Sequence, residues 1–309
     1  MNISDSDCHE PTKTEIAILK TVLYGDIFDF PLTLREIHHF LIEEDASIEA
    51  VQRTLENSEW LSRHVVRSNG YYATRAETAD LRHHRAQASQ KLWQTAHRYG
   101  ILMAYLPYVR MVALTGALAM HNAADDDDDL DYMIVTAPGR VWFTRLLVVA
   151  LVRIARLWRV EICPNYMLST RQLGQERRNL YIAHELTQMV PVSGHDLYEQ
   201  MRTMNQWADS MMPNAQGVFH STEPHQPHGF GRFMQRSLEW VFSGGIGNRI
   251  ENWERRRKTH KFELESEQNP HSAAVIDEDQ VKGHFNDYGH PILNRFYEKL
   301  DEYGIEKRE

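Results

Sequence analysis

Apolar residues recur at helical spacing through the first sixty positions. Ile16, Leu19, Val22 and Leu23 form one face, Leu34, Ile37 and Leu41 a second, and Ile48, Val51 and Leu55 a third. Thr33 precedes the second set with Glu36 three residues on, the pattern of a capping box, and Ser47 stands at the N-cap of the third. The period then changes to two. His64 to Arg75, HVVRSNGYYATR, predicts a hairpin turned at Asn69-Gly70, a pair that tolerates the positive φ angles of a tight turn. Glu77 to Tyr99 restores the helical period over one long helix, with Leu81, Ala88, Leu92 and Ala96 among its apolar positions.

Strand-like runs occupy the middle of the chain. Val112-Ala113-Leu114 stops at Thr115-Gly116-Ala117, and five consecutive aspartates, Asp125 to Asp129, lead into a second apolar run, Leu130 to Val135. A turn at Ala137 to Arg140 and a helix over Val141 to Arg156 follow, then a third strand, Arg159 to Cys163, ended by Pro164. From Arg171 the pattern is helical over Leu173 to Met189, Gly194 to Met212, Arg232 to Phe242, Arg249 to Lys261 and Pro291 to Tyr303. A His-, Pro- and Gly-rich loop, Gln216 to Gly231, and a polar stretch, Glu263 to Glu278, interrupt it. Lys282, His284 and Asn286 alternate before the last helix, and Lys282 is placed where it could fold back onto a triphosphate.

The second strand carries the chemistry. On alternating geometry Asp129, Asp131, Met133 and Val135 share one face, and Leu130, Tyr132 and Ile134 the other. A carboxylate at Asp131, inside an otherwise apolar strand, is costly unless a cation or donor neutralises it. Two carboxylates two residues apart at a strand mouth repel each other alone and suit Mg²⁺ (or Mn²⁺), a hard cation that takes carboxylate oxygens. Backbone N–H groups at the preceding glycine turn are suited to an anion. Other acidic-loop chemistries fit less well. Counted from Asp125, an EF-hand loop would need Gly at Leu130 and Glu at Thr136, and no Gly-Lys-Ser/Thr follows Gly116 as a P-loop requires. A solvated linker accounts for Asp125 to Asp128 but not for Asp131.

Gly116-Ala117, eleven intervening residues and Asp129-Leu130-Asp131-Tyr132 together resemble the signature of the nucleotidyltransferase superfamily typified by DNA polymerase beta. The resemblance implies an α+β fold with a small sheet-and-helix core, Mg²⁺ (or Mn²⁺) held by Asp129 and Asp131, and an NTP held at Thr115, Gly116 and Ala117. It also implies a third carboxylate on the neighbouring strand. Glu161 is the candidate at that place in the order, with the role of orienting or deprotonating the acceptor hydroxyl; as a residue type alone it fits an edge-strand surface position equally. Ala117 departs from the pattern, because the family usually has Ser or Gly there and alanine brings no hydroxyl to a phosphate.

The first helices and hairpin resemble a winged helix-turn-helix. Domain boundaries are accordingly expected at 11–75 for that module, 76–107 for a linking helix, 108–170 for the core and 171–309 for a mostly helical region. The exposed positions expected on the third helix, Glu49, Gln52, Arg53 and Glu56, make no basic stripe, so a packing or substrate-positioning module is favoured over specific DNA binding. Arg82-His83-His84-Arg85 reads as a solvated helix face rather than a nucleic-acid contact.

The chain has 309 residues, 42% of them hydrophobic, and a formal net charge of −9. That size and apolar fraction support a real core, and the charge argues against a broadly basic nucleic-acid surface, so nucleic acid remains a possible acceptor rather than an expected scaffold. Two cysteines, Cys8 and Cys163, imply no disulfide framework and fit a reducing cytoplasm. The polar N-terminus does not read as a signal peptide. The most apolar run, Val141 to Trp158, is broken by three arginines, so no membrane partner is expected. The Gly244 to Gly247 run follows no strand and is not a dinucleotide fingerprint, and three histidines in the Pro-broken loop make a weak metal set. Two functions compete: nucleotidyl transfer from an NTP to a hydroxyl acceptor (protein, RNA or small molecule), and nucleotide sensing by a catalytically weak winged-helix regulator, which the Ala117 departure favours.

Overall fold

The structure, a computed structural model, describes residues 10–223, 225–268, 276–282 and 289–306, with only the backbone described for 261–268. Cys8, His284, Asn286 and residues 269–275 of the polar stretch lie outside the described residues.

The N-terminal helices start where their caps predict. α1 (Lys13–Asp26) begins at Thr12 and α2 (Leu34–His39) at Thr33, each in a full capping box closed by Glu15 or Glu36, and Ser47 caps α3 (Ile48–Asn57). α4 (Glu59–Ser62) leads to the hairpin β1 (Val66–Ser68) and β2 (Tyr71–Ala73), turned through Asn69 at φ 51° and Gly70 at φ 84°. Leu32, between α1 and α2, exchanges two backbone hydrogen bonds with Tyr72, so the hairpin gains a third edge. Ile18, Leu23, Ile37, Leu41, Val51 and Leu61 fill the core beneath.

α5 (Thr78–Ala104) runs five residues past the expected end and buries Arg82. Neither reading of the Arg82–Arg85 cluster describes that residue. Its Nη2 donates to Glu36 at 2.6 Å, its Nη1 to the carbonyls of Met120 and His121, and its guanidinium lies 3.8 Å from the Phe30 ring centre. One side chain thus ties the N-terminal module to the segment that follows Gly116. Arg82→Met would leave Glu36 charged and unpaired in the core. We expect a loss of roughly 3–5 kcal/mol in denaturant unfolding, against well under 1 kcal/mol for Arg75→Met at the exposed Arg75–Asp29 pair.

The remaining elements build a mixed sheet. β3 (Val109–Leu114), α6 (Gly116–Ala119), β4 (Leu130–Thr136), α7 (Val141–Arg156) and β5 (Ile162–Ser169) come first. α8 (Leu180–Gln188), β6 (Val190–Ser193), α9 (His195–Met204) and α10 (Trp207–Met211) follow, and α11 (Gly229–Val241), α12 (Gly245–Gln268), β7 (Gln280–Lys282) and α13 (Gly289–Glu302) complete the order. The strand order is β6-β3-β4-β5-β7. β4 and β5 are parallel, joined through α7, and the other pairs are antiparallel. The fold is α+β. Leu130, Tyr132 and Ile134 pack on one face with residues of α5 and α7, while Met133 and Val135 join the opposite core, shared with the N-terminal helices, α8 and α9. Among the described residues no helix is long and apolar enough to cross a membrane.

Two strands depart from expectation. β5 starts at Ile162 rather than Arg159 and continues through Pro164, because the register slips between Asp131↔Cys163 and Met133↔Tyr166 and gives the proline a bulge to occupy. Val190–Ser193, between the helical patterns that end at Met189 and begin at Gly194, is an edge strand, where Pro191 is tolerated. Residues 173–179 are not helical.

Candidate functional site

β3 and β4 pair up to the end of β3, and the Thr115 N–H then donates to the Asp131 carbonyl at 3.0 Å. The chain turns at Gly116, whose φ is +65°. A Cβ there would stand 2.1 Å from Asp131 Oδ2, so the carboxylate lies directly on the glycine. Asp129 sits exposed at the strand mouth on the same face. The other aspartates serve the loop itself. Asp125 and Asp128 accept backbone N–H groups of Asp127 and Ala124, and Asp126 pairs with Lys91.

Cys163, which the sequence did not single out, pairs with Asp131, and the bulge at Pro164 brings Asn165 to the same carboxylate. Asn165 Nδ2 donates to Asp131 Oδ1, and the Cys163 thiol donates to Asn165 Oδ1 at 2.9 Å. One ligand atom each from Asp129, Asp131 and Cys163 falls within 4.8 Å of the others. Burial, then the charge of Asp129, pushes the Asp131 carboxyl up to about 8 against the Asn165 hydrogen bond. Burial and the same two aspartates push the Cys163 thiol up to about 12. Asp129, Asp131 and Cys163 could together hold a metal ion.

Comparison of the chain with family models, curated proteins and solved structures finds no match.

Thr115, Gly116, Ala117, Asp129 and Asp131 all line one cavity of about 420 Å³. The N-terminal module adds aromatic lining: Tyr24 and Phe28 beside α1's end, then Phe30 and Phe40. α8 closes the side with Tyr181, His184 and Glu185. His184 stacks on Tyr24 with ring centres 3.8 Å apart and gives its Nδ1 to the Leu180 carbonyl; burial holds it down to about 4, so it is neutral. Burial pushes Glu185 up to about 7, opposed by the charge of Lys282. Lys282 itself lines the cavity from β7, and Asn165 and Tyr166 line it too.

Glu161 is not brought to this group. It precedes β5, its carboxylate accepts from Arg156 Nε at 3.1 Å on an exposed surface, and it does not line the cavity. Cys163 pairs with Asp131 in the sheet and the bulge beyond it brings in Asn165, whereas the Glu161 side chain, ahead of β5, turns to Arg156. Glu185 is the further carboxylate the cavity holds, and no local pattern in helix α8 marks it.

Proposed function

We propose that the chain is a metal-dependent nucleotidyltransferase that moves a nucleoside monophosphate from an NTP to a hydroxyl acceptor and releases pyrophosphate. The observation that carries this is the Asp129–Asp131 pair, with Asp131 seated on the Gly116 turn, in a cavity that aromatic side chains also line. A triphosphate and a base need both kinds of surface. Asp129 and Asp131 would hold Mg²⁺ (or Mn²⁺), which when bound supplies positive charge to the phosphates. The Thr115 to Ala117 turn bounds the space beside that pair, and Lys282 brings a cation to the same cavity. The Tyr24–His184 stack and Phe28 offer faces to a base. Glu185, with its proton affinity raised to about 7, is suited to take the acceptor's proton in place of Glu161.

Catalysis on this scheme is positioning and charge neutralisation. The N-terminal module acts as a substrate-positioning wall. Its winged-helix likeness is not put to DNA recognition: on α3, Gln52 bonds Glu56 and Arg53 bonds the Glu49 carbonyl, leaving no basic stripe. NTP chemistry and a free thiol at Cys163 fit the reducing cytoplasm. The second reading, a nucleotide sensor without turnover, rests on Ala117, which brings no hydroxyl to the turn.

Incubation with each α-labelled NTP and Mg²⁺ or Mn²⁺, following pyrophosphate release and label transfer to protein, tRNA and cell extract, separates the two. Transfer lost in an Asp129→Ala/Asp131→Ala variant is the expected result. Metal-dependent nucleotide binding without transfer would establish the sensor, and neither binding nor transfer would sink both.

A further inference from the structure

Helices α11 and α12 are docked inside out. α11 meets the body through polar groups. Buried Gln235 donates to the carbonyls of Ala104 and Leu106, and Glu239 accepts from the Tyr108 N–H and from Arg110. Its apolar residues face away. Phe230 is 76% exposed and Trp240 79%, with Phe233, Met234 and Val241 also open to solvent. α12 repeats the inversion. Buried Glu251 accepts from the N–H groups of Trp142 and Phe143 at the start of α7, buried Glu254 pairs with Arg145 and Arg257, and Ile246 and Trp253 are exposed. A surface helix ordinarily turns these faces the other way.

The charges follow the same division. Residues 229–260 contain three carboxylates, Glu239, Glu251 and Glu254, and all three point inward. The outer side of α12 carries Arg249 and Arg256 beside Trp253, and Arg257 lies 5.3 Å from that ring's centre. Over residues 229–260 a chain of net charge −9 therefore presents one face of aromatic and aliphatic side chains among cations, with the carboxylates of that stretch withdrawn; α12 then runs on through Glu263, Glu265 and Glu267.

We propose that this α11–α12 face docks on an anionic lipid bilayer surface. The chemistry is that of an interfacial helix: Trp and Phe enter the headgroup boundary while arginines meet anionic headgroups. A second copy is the competing occupant, and its signature is a concentration-dependent dimer rather than binding that depends on anionic lipid. The earlier expectation of no membrane partner rested on the absence of a spanning segment, and a surface helix needs none.

Co-sedimentation with phosphatidylcholine vesicles, with and without phosphatidylserine, tests it on the full chain. Binding is expected only to the anionic vesicles, falling with salt. Arg249→Ser/Arg256→Ser should weaken it about thirtyfold, and Phe233→Ser/Trp240→Ser at least about tenfold. Neither variant should alter the thermal midpoint by much, since these side chains point away from the body. The Asp129→Ala/Asp131→Ala protein should bind vesicles like the parent, which keeps this result apart from that of nucleotide transfer. Anionic binding that survives Phe233→Ser/Trp240→Ser would overturn docking of the apolar face and leave plain charge attraction. No vesicle binding, with a concentration-dependent dimer abolished by the same variant, would overturn the lipid assignment and give the face to a second copy.

Discussion

Asp131→Asn should give a protein that is more stable than its parent and inactive. The substitution keeps the carbonyl that accepts from Asn165 and removes the charge that burial and Asp129 disfavour. The folded protein holds the Asp131 proton up to about 8, whereas the unfolded chain releases it near the ordinary aspartate value of 3.8. Between those limits the folded state binds more protons, so this group's contribution to stability falls as pH rises. Glu185, held up to about 7, adds a slope of the same sign below that pH. His39 and His184, pushed down to about 4 by burial, act oppositely: the unfolded chain takes their protons below about 6.5, and stability falls as pH drops toward 4.

In chelator at pH 8 the variant should therefore gain about 1–2 kcal/mol, and its stability should decline less between pH 6 and 8. Mg²⁺ should stabilise the parent more at pH 8 than at pH 6, because it competes with that proton, and should leave the variant unchanged. Nucleotide transfer should fall by at least about a thousandfold. Denaturant melts at three pH values, with chelator and with Mg²⁺, check the set. Identical pH profiles for parent and variant would remove Asp131 as the strained group.

Gly116→Ala should damage both stability and site. The residue has φ +65°, which alone costs an alanine about 1 kcal/mol. The new methyl would also stand 2.1 Å from Asp131 Oδ2, so the carboxylate or the turn must move. A total of about 3 kcal/mol is expected, with loss of metal-dependent transfer. Gly139 provides the control: it has the same φ, +65°, and nothing within 4 Å of a built Cβ. Gly139→Ala should therefore show the backbone cost alone. Combining Gly116→Ala with Asp131→Ala should recover about 1–2 kcal/mol of the loss, as expected for side chains in contact. Equal costs at positions 116 and 139 would mean that the carboxylate does not rest on the glycine.

The sequence made the local features legible. Thr33–Glu36, Ser47 and Asn69-Gly70 specify caps and a turn through neighbours three or fewer residues away, and all three form. Val141 to Arg156 emerges as a helix with those same ends. The Asp129/Asp131 face followed from strand alternation. What alternation could not supply was the partner strand's register, because Pro164 reads as a strand end and instead sits in a bulge. Cys163 meets Asp131 in ordinary register, the slip beyond it brings Asn165 to the same carboxylate, and Glu161, ahead of the strand, bonds Arg156. The apolar wall of the cavity was equally hidden: Tyr24 and His184 are 160 positions apart, and only tertiary packing stacks them. β6 and β7 are four and three residues long, too short for a periodic signal. In α11 the period is real, but the period does not say which face turns inward.

The cavity's lining begins at Thr21 and ends at Ile292. Its carboxylates lie near the chain's middle, its aromatic wall near the start, and its last side, with Lys282, Gly289 and Ile292, close to the end. The Tyr24 ring also meets Phe296 of α13 at 5.5 Å between centres. Contacts of such sequence separation form late and depend on elements already in place. A growing polypeptide can pair β3 with β4 and set Asp131 on Gly116 long before the pocket exists, yet it cannot enclose a ligand until residue 292 has left the ribosome. Nascent and truncated chains should thus collapse around the sheet while remaining unable to retain a ligand there.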